Sequence, residues 1–487
     1  MLNDIEFVVE KLKKDTNNIG SIVYRKKFVH KKKLYIIYNE PLVSSDKISD
    51  FIVRSLNKIS VDKFSSKKLL SKLENDISNF KVKVINNYKD LCFYLHRGFT
   101  IILIDGDNCG LVLETKADIS RSISTPDTDN TLRGSKDAFV EDYQKNIALI
   151  KKRIRSNDLW IDNTTLGKYT DTQVGILYVN GIVKPELVET VKKELSKLNL
   201  GGLINIEKLK NLIENETKCL FPTIMTTERP DVVSSSLLEG KVVIIVDNSP
   251  YALVLPSVLN DFFKTIEDYY GKSLNVTLTR IVKVIAFFIS LMVPAIYIAL
   301  ITYNQEMIPT ELLVSFATQR DGVPFPAFFE AIIMLLSFEI LRESDLRVPG
   351  FTGSSLSIVG ALILGDAAVQ AGIVSPIMII VIAITAISAL PFTEPELTNA
   401  LRWYRVLFMV GASLLGMVGV VVVFIYFIIK LSSLNSFGKP YLMPYAPTYF
   451  SELKNSIIKF PVKKLDKRRP YLSNNIIKQR IDQNEKN

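Results

Sequence analysis

The sequence predicts an α/β head, built from two tandem related αβ subdomains, followed by an all-α transmembrane domain of four to five membrane segments. Three observations support this prediction. Residues 281–430 contain only 17 Asp, Glu, Lys or Arg in 150 positions, whereas 23% of the whole chain is charged. Apolar runs in this region approach the ~20 residues that cross ~30 Å of bilayer hydrocarbon as a helix. The first 280 residues instead alternate short strands with helical patterns, and one of their hairpins recurs.

The recurring feature of the head is a β-hairpin that matches a second hairpin at an offset of 142 positions. Residues Gly98, Ile102, Asp105, Leu111, Val112 and Leu113 correspond to Gly240, Ile244, Asp247, Leu253, Val254 and Leu255. An internal duplication explains the match, and chance similarity of two apolar hairpins is the alternative. Asp105 and Asp247 each follow a strand, where turn-forming aspartates are far commoner than metal or acid sites.

The composition divides the chain into five parts. We expect a first αβ subdomain at 1–118, a linker rich in Ser, Thr and Asp at 119–136, and a second αβ subdomain at 137–280. A transmembrane helical domain follows at 281–430 and a basic tail at 431–487. The tail's basic cluster, Lys463–Arg469, has few aromatic neighbours and follows a membrane segment. It therefore favours membrane lipids with anionic headgroups as partners rather than nucleic acid.

Five apolar segments raise a question of topology. They are Val284–Tyr303, Phe328–Leu341, Ser355–Val374, Pro376–Leu390 and Trp403–Ile429. The N-terminus lacks the basic-then-apolar run of a secretory signal and the tail is basic, so both ends are expected in the cytoplasm. Two cytoplasmic ends require an even number of crossings. We therefore expect four spans and one re-entrant or tilted segment, for which the two short segments, Phe328–Leu341 and Pro376–Leu390, are the candidates.

Small residues recur along one face of the third apolar segment. Their spacings of four, four, three and four place on that face Ser357, Ala361, Gly365, Ala368 and Gly372. Such a face allows close helix packing, which is the commoner explanation. Alternatively, the face is repeated around an oligomer and lines a narrow pore, with the bulkier Leu364 as a neighbour at an apolar constriction.

Three acidic residues lie in apolar surroundings, where a charge is costly and often functional: Glu330, Glu339 and Asp366. Glu330 and Glu339 are nine residues apart, on nearly opposite faces of one helix, so they cannot form a carboxylate pair. Glu339 can pair with Arg342 one turn later, which is a structural explanation. Asp366, beside Gly365, is the better candidate for a cation-attracting site, with interhelical hydrogen bonding as the alternative.

The residues needed for common enzyme chemistry are scarce. The chain has three cysteines and two histidines, no C-x-x-C pair, no P-loop and no G-x-G-x-x-G after a strand. We therefore expect neither an enzyme nor a bound cofactor or metal.

Four stretches of the chain resemble one known family, the GerA-type spore germination proteins. They lie at 132–150, 177–188, 227–250 and 357–376. Positions in the head that match the family pattern are Arg133, Gly134, Phe139, Glu141, Glu228, Arg229, Pro230 and Asp247. The chain departs from that pattern at Ser135-Lys136, where the family more often has Pro-Arg, and at Asp366, where it often has Gln.

The resemblance implies a specific function. Proteins of this type are A subunits of nutrient germinant receptors in the inner membrane of dormant spores, beside a transporter-like B subunit and a lipoprotein C subunit. Nutrient binding, mainly by the B subunit, triggers release of monovalent cations. The resemblance therefore implies a homo-oligomeric, ligand-gated cation channel with a cytoplasmic head and tail. A non-conducting scaffold that holds the transporter-like partner is the alternative.

Overall fold

The computed structural model describes residues 4–16, 20–29, 32–53, 82–117, 126, 134–214, 220–265, 267–347, 360, 363–461 and 468–473. Several predicted features lie outside these residues. They include Arg133, Ser357, Ala361, most of the predicted linker and the basic residues Lys463, Lys464 and Lys467.

The first subdomain is built on a five-stranded antiparallel sheet. Its strands are β1 (Ile22–Val29), β2 (Lys32–Asn39), β3 (Val82–Ile85), β4 (Phe99–Ile104) and β5 (Gly110–Glu114), in the order β1-β2-β4-β5-β3. The helices are α1 (Ile5–Asp15) and α2 (Tyr88–Leu95), with helical turns at Ser45–Lys47 and Ile48–Val53. Helices α1 and α2 pack on one face of the sheet, and the two helical turns pack on the other. Apolar side chains therefore cover both faces.

The second subdomain repeats this arrangement. Strands β6 (Leu159–Leu166), β7 (Thr172–Val179), β8 (Met225–Thr227), β9 (Val242–Val246) and β10 (Ala252–Leu255) follow the order β6-β7-β9-β10-β8. Helices α3 (Tyr143–Arg153), α4 (Pro185–Ser196), α5 (Ile206–Glu214) and α6 (Pro230–Glu239) cover the two faces.

The two sheets share the same strand order and an equivalent backbone hydrogen bond at the same turn. The Asp105 N–H donates to the Lys33 carbonyl at 2.9 Å, and the Asp247 N–H donates to the Gln173 carbonyl at 2.9 Å. Both aspartates therefore close the same turn after equivalent strands. The hairpin match in the sequence thus reflects two copies of one fold.

The helical domain contains α7 (Ser273–Thr302), α8 (Thr310–Arg320), α9 (Ala327–Arg347), α10 (Pro376–Ile387) and α11 (Pro395–Ser433), with a further helix at 363–370. In the described part of the chain, α7 and the continuous apolar run of α11 are the two segments that by length and composition alone could cross a membrane. The described residues thus do not confirm four to five membrane segments.

Helix α11 reverses direction in the middle. Gly416 has φ 60° and ψ −138°, outside helical geometry. The rings of Tyr404 and Phe427 have centroids 5.0 Å apart, whereas 23 residues of straight helix would separate them by about 35 Å. Residues 395–415 and 417–433 are therefore two antiparallel arms of a helical hairpin. The prediction of one final span at Trp403–Ile429 is wrong, because a glycine turn interrupts the apolar run.

The tip of this hairpin is held by the end of α7. The Met417 N–H donates to Asn304 Oδ1 at 3.0 Å, and the Tyr303 hydroxyl donates to the Ser413 carbonyl at 3.1 Å. These contacts satisfy backbone groups that the break in the helix leaves without intrahelical partners. Further from the tip, Arg405 Nε donates to the Ser290 carbonyl at 2.6 Å. Earlier residues of α7 thus contact earlier residues of the first arm, so this arm runs parallel to α7.

The C-terminal tail is part of the head in the residues that the structure describes. It forms a small hairpin of β11 (Asn435–Ser436) and β12 (Lys439–Pro440), and Ser473 then pairs with Val183. Arg469 is buried, 2.6 Å from Asp261 Oδ1 and 3.3 Å from Glu239 Oε2. The expected lipid contact is therefore wrong for Arg469, because its charge is already paired inside the protein.

Candidate functional site: charged residues of the helical domain and its junction with the head

Glu330 is fully buried near the start of α9. Its Oε2 accepts hydrogen bonds from the Ser375 N–H and hydroxyl, each at 2.9 Å, and its Oε1 lies 3.0 Å from Arg320 Nη2. Ser375 precedes the first residue of α10, where the free N–H groups of a helix start favour a carboxylate. Glu330 thus holds together α9, the end of α8 and the start of α10.

Glu339 lies further along α9 and joins it to α11. Its carboxylate is 3.4 Å from Arg342 Nη2, as the spacing predicts, and 3.1 Å from Arg402 Nε. No local sequence pattern indicated Arg402, which is far from Glu339 along the chain. The residues border an open cavity of about 420 Å³ lined by Glu339, Ile340, Arg342, Glu343, Ser344 and Arg402. Glu330 and Glu339 thus have separate arginine partners.

The helix at 363–370 carries the remaining predicted residues. Gly365 is buried, and a Cβ there would lie 3.8 Å from two carbons of Ile379. Ala368 packs against the core of the domain, while Leu364 is 40% exposed and Gly372 ends the segment with φ 66°. In one protomer the described residues Gly365 and Ala368 of the small-residue face are thus turned inward, as close helix packing requires, and the pore-lining role of that face remains a prediction.

Asp366 lies on the outer side of the same helix. It is exposed and accepts a 2.8 Å hydrogen bond from Gln370 Nε2. Ile363, Asp366 and Gln370 are spaced i, i+3 and i+7, so they share one exposed face. A carboxylate and an amide on an exposed face of an apolar domain are costly against lipid.

The family-signature positions of the head meet around the start of α6. Arg229 is buried and donates to the Ser135 carbonyl and to Asp231 Oδ2, each at 2.8 Å, next to Gly134. The Phe139 N–H donates to the Glu228 carbonyl at 2.8 Å, and Pro230 begins α6.

The other two described signature positions lie at the nearby β9–β10 turn. The Glu141 carbonyl accepts from the Asn248 N–H at 2.9 Å, and Asp247 Oδ1 accepts from the Tyr143 N–H at 3.3 Å. These residues fix the entry segment of the second subdomain onto its sheet.

Lys210, which no sequence pattern predicted, connects the head to the helical hairpin formed by α11. Its side chain is 1% exposed, and its ammonium lies 3.1 Å from Glu394 Oε1, 2.8 Å from Glu396 Oε2 and 2.9 Å from Thr226 Oγ1. Burial alone lowers the pKa of Lys210, but Glu394 and Glu396 outweigh it and hold that pKa above its usual value. Lys210 belongs to α5 and the two glutamates to the start of α11, so no local sequence pattern links them.

Glu214 lies near this junction and supports it from the head side. Its Oε1 accepts hydrogen bonds from the backbone N–H groups of Thr223 and Ile224, each at 2.6 Å. Burial raises the pKa of Glu214 to about 7. Among the described residues there is no group of three or more His, Cys, Asp or Glu that could hold a metal ion.

These features together define a membrane-associated protein in which a duplicated αβ head is joined by buried ion pairs to an apolar helical domain. The family described as "Bacillus/Clostridium GerA spore germination protein" matches residues 10–471. The chain therefore belongs to the GerA family of spore germination proteins, and the resemblance of its four stretches is confirmed.

Individual relatives cover most of the chain. Spore germination protein KA of Bacillus subtilis (strain 168) is 38% identical over 431 residues, which are 88% of this chain and 78% of that protein. Spore germination protein A1 of the same organism is 31% identical over 466 residues, 95% of this chain and 94% of that protein. The crystal structure of the N-terminal domain of the A subunit of the Bacillus megaterium spore germinant receptor GerK3 is 29% identical. It covers 52% of this chain and 94% of that chain, with a TM-score of 0.41.

Proposed function

We propose that this chain is the A subunit of a nutrient germinant receptor and forms an oligomeric, ligand-gated cation channel that starts germination by releasing ions. Its partners are a transporter-like B subunit and a lipoprotein C subunit in the spore inner membrane. Membership of a spore germination family supports the role in germination. Conduction itself rests on the arrangement of the helical domain.

The observation that supports conduction best is the exposed pair of Asp366 and Gln370. A carboxylate in an apolar domain avoids lipid and faces either water or another subunit. When the face of Ile363, Asp366 and Gln370 is repeated around an oligomer, it forms a ring of carboxylates that attracts cations. The face proposed here to line the pore is thus the outer side of this helix, with Leu364 at its edge, and not the predicted small-residue face that contains Gly365.

The helical hairpin supports a topology with both ends of the chain on the cytoplasmic side. Because the apolar run Trp403–Ile429 is two antiparallel arms, it supplies two crossings rather than one, so the five predicted apolar segments supply six. A Cβ at Gly360 would lie 3.1 Å from Leu341 Cδ2, and a Cβ at Gly372 would lie 3.7 Å from the Gly322 carbonyl oxygen, so these two glycines lie near opposite ends of α9. Six crossings are an even number, so this proposed topology has head and tail on one side without needing a re-entrant segment.

Conductance in planar bilayers tests the proposal. The purified chain, alone and with its two partner subunits plus nutrient, is expected to give cation-selective openings. Asp366→Asn removes the charge with little change of shape and should lower both cation conductance and selectivity. Glu311→Gln, on the exposed surface of α8, is the matched control and should leave both unchanged. Identical selectivity of Asp366→Asn and wild type would contradict the pore assignment.

A non-conducting scaffold is the second candidate, favoured by the inward packing of Gly365 against Ile379. In that case the helical domain serves only to hold the transporter-like partner. The scaffold predicts that Asp366→Asn changes germination only when it also reduces recovery of the partner subunits in a pull-down. The channel predicts slower ion release with the complex intact.

A further inference from the structure

The contact between the two subdomains provides a template for contacts between chains. Helix α3 of the second subdomain docks onto the first subdomain, where Lys151 Nζ donates to Asn39 Oδ1 at 2.9 Å and also to the Ser21 hydroxyl. Asn157 contacts His96, and its Nδ2 lies 3.3 Å from Cys92 Sγ. The docking face of the first subdomain therefore lies around Ser21, at the start of β1, and Asn39, at the end of β2.

Helix α1 is the counterpart of α3. Both have 11 residues, and their N-cap residues, Asp4 and Asp142, each accept hydrogen bonds from two N–H groups in the first turn. Their inward residues match in order: Ile5, Val8, Val9 and Leu12 on α1, and Tyr143, Asn146, Ile147 and Ile150 on α3.

The outer faces of these two helices differ in burial. Ala148 and Lys151 of α3 are buried, with Lys151 held under the first subdomain. By the same alignment, their counterparts on α1 are Glu10 and Lys13, and both are exposed. The Lys13 ammonium lies 5.3 Å from the centre of the Tyr24 ring, at the surface. Helix α1 thus presents the face that α3 buries.

The second subdomain has a counterpart of the docking face. The Glu40 N–H donates to the Ser21 carbonyl at 2.9 Å, and the Asn180 N–H donates to the Asp158 carbonyl at 2.7 Å. Asp158 therefore occupies the position of Ser21 and Asn180 that of Glu40, while the buried Val179 occupies the position of Asn39. Both Asp158 and Asn180 are exposed.

We propose that α1 of a second copy of this chain docks onto this exposed face of the second subdomain, repeating between chains the contact that α3 makes within one. Lys13 of one copy then takes the place of Lys151 and faces Asp158 of the next copy, so the charges are complementary. The contact joins two different surfaces, and such a heterologous contact builds a ring when its rotation closes. The inference rests on the homo-oligomer of the proposed function and assigns its contact surface.

Cysteine cross-linking tests this contact in the full-length protein in membranes. Cys92, Cys109 and Cys219 are first replaced by serine. The double variant Lys13→Cys/Asp158→Cys, treated with a short bis-maleimide, is expected to give a ladder of covalent dimers, trimers and larger species. Each single variant lacks one half of the contact and should give no ladder. Ser21→Cys/Lys151→Cys is the internal control, which should cross-link within one chain.

The outcomes separate this contact from the oligomer itself. A ladder from the double variant supports the contact. The largest covalent oligomer in that ladder gives the number of subunits in the ring. An oligomer of unchanged mass by light scattering that gives no ladder, while the internal control reacts, would overturn the contact and leave the channel proposal standing. A ladder that stops at dimers would overturn the head-to-tail arrangement. A monomeric protein would overturn both the contact and the oligomer.

Discussion

The substitution Gly416→Ala tests the helical hairpin most sharply, because the two possible structures predict effects of opposite sign. In the hairpin, Gly416 has φ 60° and ψ −138°, and a Cβ there would lie 2.7 Å from both Asn304 Oδ1 and Tyr303 Cβ. Backbone strain of this kind costs about 1–3 kcal/mol, and overpacking costs about 1–3 kcal/mol more. The expected loss of stability is therefore about 2–6 kcal/mol. In a straight helix, the same substitution would stabilise the protein by about 1 kcal/mol.

Thermal unfolding of the detergent-solubilised protein, followed by circular dichroism, measures this difference. Since 1 kcal/mol shifts the Tm of a domain of 150–250 residues by about 2–4 °C, the Tm should fall by about 5 °C or more. Gly322→Ala is the matched control. Gly322 also has a positive φ of 85°, but among the described residues no atom lies within 4 Å of its Cβ position, so only the strain term applies. A Gly416→Ala protein as stable as wild type, or more stable, would refute the hairpin.

Three further substitutions test the buried charges. Lys210→Met leaves Glu394 and Glu396 without their shared cation and should cost about 3–5 kcal/mol in a denaturant unfolding experiment; the exposed Lys208→Met should stay within about 0.5 kcal/mol of wild type. Burial lowers the pKa of Lys151 to about 7, whereas the unfolded chain keeps that proton up to a pH of about 10. The free energy of unfolding therefore rises by up to about 1.4 kcal/mol per pH unit above pH 7. Lys151→Met should remove about 2–3 kcal/mol of that rise between pH 7 and 9. If the unfolding free energies of the two proteins depended equally on pH, a buried neutral lysine would be contradicted. Arg469→Met should lower the Tm but leave binding to anionic vesicles unchanged, and the reverse result would restore Arg469 to a lipid-binding role.

The sequence revealed the features that are local. The repeated hairpin was visible because Asp105 and Asp247 end similar apolar strands at a constant offset, and the Glu339–Arg342 pair was visible because helical spacing brings i and i+3 together. The reversal of α11 was not visible, because one glycine inside an apolar run is equally compatible with a straight span.

Long-range pairs were also beyond sequence reasoning. Lys210 meets Glu394, and Arg469 meets Asp261, only after the helical domain and the tail have folded back onto the head. A basic residue near the C-terminus predicts a lipid contact when its buried partner is not visible in the sequence. The charges that were predicted best are those whose partners lie within one helical turn.

Ion flux from liposomes that contain the chain together with its B and C partner subunits tests the central claim most directly. Wild-type protein should release monovalent cations when nutrient is added, and Asp366→Asn should reduce that release while the complex stays intact. Liposomes that contain the complete, oligomeric complex but release no cations, with or without nutrient, would contradict the channel. The chain would then be a scaffold.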